Sequence, residues 1–365
     1  MTPPAAAVPH RATGFADRPS PIKLMIVDDS PVARAVLSRM LSGHKEFEVV
    51  ALAGNAGEAI DALKSIRVDI VLLDVEMPGT TGLEALPKIL ELGAGARVLI
   101  VSSLCEEGAE ATVKALALGA ADALPKPGSG NFAGRFSEVL ADRLRRIAAD
   151  RPAPAGGGHE APAPFRLRAA PDHKLGCVAL GASTGGLHAL TGFLCGLPAM
   201  IGAPLLVTQH LPAVFMPFFA RQIQTASGRR TRVAEDGMAL RPEEILLAPG
   251  DAHLGLERRG GEVRVRLGRE PVAGGYMPSV DHMLGAAAEI FGRGAVGVVL
   301  SGMGKDGLAG SRHVIERGGA IFAQDRQSAA VWGMPRAVAE AGLASAILPP
   351  ADLARRIGAC AHGGA

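Results

Sequence analysis

A serine, a histidine and an aspartate each follow an apolar run in the second half of the chain. Ser183 lies in the glycine-rich segment Gly181–Gly186, and His210 directly follows a predicted strand. Asp306 lies in the segment Ser301–Gly307, after another predicted strand. A serine hydroxyl becomes a nucleophile when an imidazole removes its proton, and a carboxylate orients that imidazole. If the three strands end at one sheet edge, these side chains form a hydrolase site.

The glycine-rich segment around Ser183 joins a predicted strand to a predicted helix. A serine on such a sharp turn is exposed to substrate, and the unpaired N–H groups of the helix N-terminus suit an oxyanion. Each residue alone also has a structural explanation. The turn is typical of dinucleotide-binding folds too, His210 fits a buried hydrogen-bonded histidine, and Asp306 fits a cap of the following helix. The chain order Ser, His, Asp differs from that of the α/β-hydrolases, although triad geometry recurs on unrelated folds.

Acidic, hydroxyl and ammonium groups follow predicted strands in the first half of the chain. Asp28 and Asp29 come after the first strand, Asp74 after the third, while Ser102 ends the fourth and Lys126 the fifth. Because the carboxyl ends of parallel strands line one crevice, we expect these groups to meet there. Carboxylate oxygens suit Mg²⁺, and a carboxylate beside a metal accepts a phosphoryl group. Taken alone, the Asp-Asp pair is also explained by a helix N-terminus.

The elements that position these residues follow a strand–helix alternation in two blocks. Five strands and five helices fit residues 22–149, and short continuous β-branched runs indicate strands buried on both faces of a parallel sheet. A second α/β domain is predicted over residues 174–358, doubly wound and mostly parallel, with a β-hairpin near residues 254–267. Proline-rich and glycine-rich residues 150–173 predict a linker. Residues 1–21 predict a disordered tail, and residues 359–365 a short second tail.

Composition excludes several classes of protein. Hydrophobic residues make up 48% of the 365 residues and aromatic residues only 4%, which suits aliphatic cores in parallel sheets. A net charge of +2 does not fit a nucleic-acid-binding protein. The four cysteines lack metal-ligand spacing. The N-terminus lacks a secretion-signal pattern, and no apolar run approaches the roughly 18 residues of a membrane span. We therefore expect a cytoplasmic protein without membrane insertion.

The first block resembles the receiver domain of two-component response regulators, a flavodoxin-like fold. The matching pieces are Val27-Asp28-Asp29-Ser30, Leu73-Asp74-Val75-Glu76-Met77-Pro78, Gly82-Leu83, Val101-Ser102-Ser103 and Lys126-Pro127. The resemblance implies that Asp74 is the phospho-acceptor, that Asp28 and Asp29 hold Mg²⁺ together with it, and that Ser102 and Lys126 sense the phosphoryl group.

Two positions of this block depart from the receiver pattern. Thr80-Thr81 stands where the family often has Met-Asp, and Ala123 stands where an aromatic switch residue often sits. The alanine at position 123 affects the part of the receiver switch that works through the rotamer of an aromatic side chain. It does not affect phosphorylation itself.

The whole chain from about residue 22 to 358 resembles the chemotaxis response regulator protein-glutamate methylesterase family. The matching pieces of the second block are Gly181–Gly186, Gln209-His210, Leu247-Ala248-Pro249-Gly250, His253-Leu254, Met277–Asp281, Ser301–Gly307, Ala323-Gln324-Asp325 and Gly333-Met334-Pro335. The resemblance implies that Ser183, His210 and Asp306 are the catalytic triad and that Met303 lines the site. Backbone N–H groups around Thr184 would then hold the oxyanion.

The same resemblance implies a reaction and partners. The enzyme would hydrolyse glutamate γ-methyl esters on methyl-accepting chemotaxis receptors, and deamidate certain glutamines, without a cofactor for the esterase step. A chemotaxis histidine kinase would phosphorylate Asp74 with Mg²⁺ present, and the unphosphorylated receiver would pack over the esterase cleft and restrain it.

Three other functions remain as alternatives. A receiver that controls a catalytically silent adaptor requires an incomplete triad, although all three residue types are present. A nucleotide-binding oxidoreductase requires an acid at the end of the strand after the glycine-rich turn, where Gln209-His210 stands. A DNA-binding response regulator usually has a shorter and visibly basic output domain.

Overall fold

The computed structural model describes residues 20–102, 106–126, 133–149, 165–169 and 173–362. Most of the predicted tail 1–21 and of the predicted linker 150–173, and part of the predicted tail 359–365, lie outside these residues. Phe165, inside the predicted linker, packs edge-on against Trp332 with ring centroids 5.8 Å apart. The domain boundaries stay predictions.

The N-terminal domain contains one five-stranded sheet. Its strands are β1 (Ile22–Val27), β2 (Phe47–Ala53), β3 (Ile70–Leu73), β4 (Arg97–Ser102) and β5 (Asp122–Pro125). They are all parallel and lie in the order β2-β1-β3-β4-β5. Leu24 and Ile26 of β1 enter one core cluster, while Met25 and Val27 enter another. The sheet is therefore buried on both faces, as the apolar runs predict.

Helices cover this sheet and begin at identifiable caps. They are α1 (Pro31–Ser42), α2 (Ala56–Leu63), α3 (Gly82–Leu92), α4 (Glu106–Ala117) and α5 (Ala133–Ala149). Ser30 caps α1 by accepting a hydrogen bond from the Ala33 N–H at 3.2 Å. Thr81 caps α3 and exchanges hydrogen bonds with Glu84, so the unusual threonine starts a helix here.

Nine further strands follow among the described residues. They are β6 (Cys177–Ala182), β7 (Leu205–Gln209), β8 (Thr231–Val233), β9 (Ile245–Leu247), β10 (His253–Arg259), β11 (Glu262–Gly268), β12 (Ala295–Val299), β13 (Ala320–Gln324) and β14 (Ala344–Leu348). Seven form a parallel sheet in the order β14-β13-β12-β6-β7-β9-β8. Strands β10 and β11 form an antiparallel hairpin. The predicted doubly wound sheet with a hairpin is confirmed.

Six helices of the described part surround this second sheet. They are α6 (Gly186–Gly196), α7 (Met216–Ser227), α8 (Val280–Phe291), α9 (Leu308–Glu316), α10 (Met334–Glu340) and α11 (Pro350–His362). The two domains touch through α4, which packs against α6 and α7. One core cluster contains side chains of both domains, so the contact between them includes a continuous apolar part.

Candidate active site

Three neighbouring strands bring the predicted triad residues to one sheet edge. Ser183 follows β6, His210 follows β7, and Asp306 lies in the segment after β12. Strand β6 pairs with β7 on one side and with β12 on the other, in parallel. The three strands therefore end on the same side of the sheet, which is the arrangement that the sequence predicts.

The turn around Ser183 is held by backbone hydrogen bonds on both sides. The Ser183 N–H donates to the Ser301 carbonyl at 2.9 Å, and the Gln209 side-chain amide donates to the Ser183 carbonyl at 2.7 Å. Gly185 opens helix α6 with φ at 71°, a left-handed conformation that favours glycine. The hydroxyl of Ser183 is thus presented at the start of a helix.

His210 and Asp306 form a direct pair. The His210 Nε2 lies 2.8 Å from the Asp306 Oδ2. The His210 side chain is 13% exposed and that of Asp306 only 1%, so the pair lies at the bottom of a cavity rather than on a surface. Because Nε2 faces the carboxylate, Nδ1 is the ring nitrogen left to take a proton from a nucleophile.

The carboxylate of Asp306 is bound by the N-terminus of α8. Its oxygens accept hydrogen bonds from the Ser279 hydroxyl at 3.0 Å, the Val280 N–H at 2.7 Å and the Asp281 N–H at 2.9 Å. Burial alone would raise the pKa of Asp306, but the pairing with His210 and these backbone donors hold it below its ordinary value. Asp306 is therefore a fixed negative charge beside the imidazole. Its carboxylate binds the first two N–H groups of α8, a helix that Ser279 caps.

A second carboxyl group, Asp281, stands beside Asp306. Burial raises the pKa of Asp281 to about 6, and the negative charge of Asp306 acts in the same direction. One Asp281 oxygen also accepts a hydrogen bond from the Gly310 N–H at 2.7 Å. The two carboxylates repel each other when both are ionised. Asp281 is the one that takes up a proton more readily, because its pKa is raised while that of Asp306 is lowered.

Ser183 and His210 of the predicted triad line a cavity of about 380 Å³. Residues of both domains line it, namely Arg143, Arg146, Ser183, Thr184, His210, Leu211, Pro212, Gly250, Gly275, Tyr276, Met277 and Met303. The predicted lining residues Thr184 and Met303 are among them. Arg143 and Arg146 come from α5 of the N-terminal domain, so that domain narrows the cavity.

The N-terminal domain contacts the turn that carries Ser183. The Gly185 N–H donates to the Ala121 carbonyl at 2.6 Å, and the Thr184 hydroxyl donates to the Asp122 Oδ2 at 3.0 Å. The same oxygen of Asp122 accepts a hydrogen bond from Arg143. A backbone donor two residues after Ser183 is thereby occupied by a carbonyl of the other domain.

The predicted phosphorylation site is brought together at the carboxyl edge of the first sheet. Oxygens of Asp28, Asp29 and Asp74 lie within 4.8 Å of one another. The Lys126 ammonium lies 2.6 Å from Asp74 Oδ2 and 2.8 Å from the buried Asp28 Oδ2. Three clustered carboxylates, two of them buried, fit Mg²⁺.

At the predicted phosphorylation site, burial and the neighbouring charges shift the pKa values of Asp74 and Lys126 in opposite directions. Burial raises the pKa of Asp74 above its ordinary value, in spite of the hydrogen bond from Lys126. Burial alone would lower the pKa of Lys126, but its contacts with Asp28 and Asp74 outweigh burial and raise it. Lys126 is therefore an ammonium that offsets part of the negative charge of the carboxylate cluster.

Ser102 lies beside a residue that the sequence analysis did not single out. Its hydroxyl is 2.6 Å from the hydroxyl of Thr112, which is fully buried on α4. Ala123, where an aromatic residue would be usual, is a small buried side chain on β5. The hydroxyls of Ser102 and Thr112 thus form a direct contact between β4 and α4.

Three further residues at the active site were not predicted. Ser279 and Asp122 contact the triad and its turn, and Tyr276 stacks on His210 with ring centroids 4.8 Å apart. Tyr276 directly precedes the segment Met277–Asp281 that carried the family resemblance, which is the signal that pointed to this loop. Asp122 gave no sequence signal, because its partner lies in the other domain.

Comparisons with known proteins give a consistent result. The chain matches the CheB methylesterase family over residues 178–357 and the response regulator receiver domain over residues 24–131. Protein-glutamate methylesterase/protein-glutamine glutaminase 1 of Paramagnetospirillum magneticum is 38% identical, covering 93% of this chain and 97% of its own length. The protein of that name, without the number, from Bordetella parapertussis is 40% identical, covering 92% of this chain and 96% of its own.

A solved structure is also similar to part of the chain. The CheB methylesterase catalytic domain of Thermotoga maritima is 36% identical, with a TM-score of 0.49, and the match covers 51% of this chain and 98% of that one. Within the part of the chain that the structure describes, no helix combines the length and apolar character that crossing a membrane requires.

Proposed function

Because this chain belongs to the protein-glutamate methylesterase/protein-glutamine glutaminase family, we propose that Ser183, His210 and Asp306 carry out its reaction. The enzyme hydrolyses glutamate γ-methyl esters and deamidates glutamines on chemotaxis receptors, and phosphorylation of its receiver activates it. The observation that carries the assignment of residues is the 2.8 Å contact between His210 and Asp306, in the cavity that Ser183 also lines.

The first half of the reaction is an acyl transfer to serine. The Ser183 hydroxyl attacks the γ-carbonyl carbon while His210 takes its proton at Nδ1, and Asp306 stabilises the imidazolium that forms. Backbone N–H groups around Thr184 hold the oxyanion, each contributing roughly 3 kcal/mol to the lowering of the barrier. His210 then returns the proton to the leaving oxygen, and methanol departs.

The second half regenerates the enzyme. Water attacks the acyl-serine ester with His210 again as the base, and free glutamate and Ser183 result. A glutamine side chain follows the same route with ammonia as the leaving group. Both reactions use the same three residues, so a variant that loses one activity through Ser183 is expected to lose the other.

The receiver regulates this site through direct contact. We propose that Asp74 accepts the phosphoryl group from a chemotaxis histidine kinase, that Asp28, Asp29 and Asp74 hold Mg²⁺, and that Ser102 and Lys126 sense the phosphoryl group. Mg²⁺ would neutralise charge on the transferring phosphoryl group. The hydrogen bond from the Gly185 N–H to the Ala121 carbonyl supports restraint by the docked receiver, because it occupies a donor beside Ser183.

The division of the chain is part of the same proposal. We propose a receiver over residues 22–149, a linker over 150–173 and a catalytic domain over 174–358, flanked by short tails. We propose that the enzyme acts in the cytoplasm, where it would meet both the kinase that phosphorylates it and the receptor segments that are its substrates.

Methanol release from membranes that carry methylated receptors tests the assignment. Wild-type protein should release methanol faster when a small phosphodonor is added with Mg²⁺. Ser183→Ala should lower release at least about a thousandfold under both conditions, because no other group replaces the nucleophile. Wild-type turnover in this variant would end the assignment of Ser183, and no release from the wild type would favour the silent-adaptor alternative.

The matched control separates chemistry from regulation. Asp74→Asn should keep the basal rate of methanol release and lose stimulation by the phosphodonor, because the amide cannot accept the phosphoryl group. A variant that is still stimulated severalfold would contradict the role of Asp74 and leave the triad untouched.

A further inference from the structure

Tyr276 lies face to face with the imidazole of His210. The ring centroids are 4.8 Å apart and the ring planes differ by 9°. Tyr276 is half-buried in the loop that precedes α8 and lines the same cavity as Ser183. The ring therefore covers one face of the base while Asp306 binds its edge.

The position of Tyr276 depends on the loop that carries Asp306. Gly304 in that loop has φ at 80°, and a Cβ placed there would lie 2.4 Å from the Tyr276 hydroxyl oxygen. Only a residue without a side chain leaves room for the phenol. The aromatic ring is thus packed between the imidazole and the backbone of the Asp306 loop.

One hydrogen bond does not fix an imidazole completely. The contact between the His210 Nε2 and Asp306 fixes the position of one nitrogen, but the ring can still rotate about that bond. A flat ring stacked on the imidazole removes this rotation, and so it fixes the direction in which Nδ1 points. An aromatic face also attracts a cation placed over it, and it attracts the neutral ring less.

We propose that Tyr276 is a positioning residue that holds the plane of His210 and stabilises its protonated form. The proposal rests on the proposed role of His210 as the base. The imidazolium forms when Ser183 attacks, so the stabilisation is greater in the transition state than in the ground state and raises kcat.

Two substitutions separate the aromatic face from the hydroxyl. Tyr276→Phe keeps the stack and should keep kcat for methanol release within about twofold. Tyr276→Leu keeps an apolar side chain but loses the aromatic face, and should lower kcat about 2- to 30-fold with little change in KM. Both are measured with the full chain activated by the phosphodonor.

The pH profile distinguishes electrostatic stabilisation from simple packing. Without the aromatic face, protonated His210 is less favourable, so the acidic limb of the kcat/KM profile of Tyr276→Leu should move to lower pH by about half a unit to one unit. A residue that only packs the cavity would lower kcat and leave this limb in place.

Ultraviolet spectroscopy gives a readout that does not depend on turnover. Tyr276 is the only tyrosine in the chain, so the near-ultraviolet tyrosine band reports on this stack alone once the signal of the single tryptophan is subtracted. The band should shift as pH falls, and the midpoint of this shift should coincide with the midpoint of the acidic limb of the kcat/KM profile. His210→Gln should abolish the shift.

The outcomes keep the two proposals apart. If His210→Gln is fully active, the proposed triad fails. If His210→Gln is inactive while Tyr276→Leu keeps wild-type kcat, or lowers kcat without moving the acidic limb, only the role of Tyr276 is overturned. Loss of activity in Tyr276→Phe equal to that in Tyr276→Leu would assign the effect to the hydroxyl and would also overturn the proposal.

Discussion

At the scale of single residues, the active site holds two carboxyl groups with opposite tendencies. Asp306 is held ionised by His210 and by the N-terminus of α8, whereas the pKa of Asp281 is raised to about 6 by burial and by the charge of Asp306. The helix N-terminus stabilises one negative charge better than two. The ionisation of Asp281 at neutral pH therefore costs stability, and only Asp306 contacts the imidazole.

Asp281→Asn should stabilise the catalytic domain at pH 8 but not at pH 4. A carboxyl whose pKa is about 6 in the folded state, against about 3.9 unfolded, destabilises the fold increasingly as pH rises from 4 to 6 and fully above 6. The amide removes that charge and keeps the acceptor for the Gly310 N–H. After discounting for partial exposure we expect about 1 kcal/mol at pH 8, or about 2–4 °C in the unfolding midpoint.

Thermal unfolding followed by the emission of Trp332, the only tryptophan, measures this difference. The matched control is Asp251→Asn, because Asp251 forms an exposed ion pair with Arg269 at 3.3 Å and should change stability little at either pH. An equal shift of Asp281→Asn at both pH values, or none at pH 8, would contradict the assigned ionisation.

At the scale of elements, α4 connects the phosphorylation site to the catalytic domain. One side of α4 presents the buried hydroxyl of Thr112 to Ser102 at 2.6 Å, and the helix packs against α6 and α7 of the other domain. Ser102 is the proposed sensor of the phosphoryl group. When the Ser102 hydroxyl turns toward a phosphoryl group, it gives up its contact with Thr112 on α4. The position of α4 therefore depends both on phosphorylation and on the packing against the catalytic domain.

Thr112→Val should weaken the coupling between phosphorylation and activity. Valine has nearly the same shape and lacks the hydroxyl, so the contact between β4 and α4 no longer depends on where Ser102 points. Phosphate incorporation at Asp74 should remain normal, while stimulation of methanol release should fall severalfold. The conservative variant Thr112→Ser keeps a hydroxyl and should keep most of the stimulation. Normal stimulation in Thr112→Val would show that α4 is moved by other contacts.

The elements also show how far sequence reasoning reaches. The five strands of the first sheet and the hairpin were predictable because apolar runs between turn residues indicate buried strands. The placement of Ser183, His210 and Asp306 at one sheet edge followed from a general rule, since residues after neighbouring parallel strands share one edge. Tyr276 was not predictable in the same way, because its loop has no periodic pattern and its position depends on the space left by Gly304.

At the scale of the whole molecule, the receiver docks on the catalytic edge with the start of β5. Ala121 and Asp122 contact the turn after Ser183, and Arg143 beside them lines the cavity. No sequence pattern predicted these contacts, because each joins residues about 60 positions apart that belong to separately folded sheets. The phosphorylation site lies at the opposite, carboxyl end of the same sheet, so the signal must cross the receiver.

Asp122 is the residue whose change should release the docked arrangement. Its side chain is 11% exposed and accepts hydrogen bonds from both Thr184 and Arg143 through one oxygen. Asp122→Asn keeps the shape of the side chain but loses the charge, which weakens the hydrogen bond that Thr184 of the other domain donates to it by roughly 1–2 kcal/mol. A docking equilibrium that limits basal activity would then shift about tenfold toward the open form.

Basal methanol release by unphosphorylated Asp122→Asn should therefore rise up to about tenfold, while the rate at saturating phosphodonor stays near that of the wild type. The matched control is Glu110→Gln, which removes the exposed 3.9 Å ion pair between α4 and Arg221 and should change neither rate, since exposed pairs contribute little. A basal rate that rises equally in both variants would indicate that the total charge at the interface controls docking. The specific contacts of Asp122 would then have no role of their own. An unchanged basal rate in Asp122→Asn would mean that the apolar contact of α4 with α6 and α7 alone holds the receiver in place.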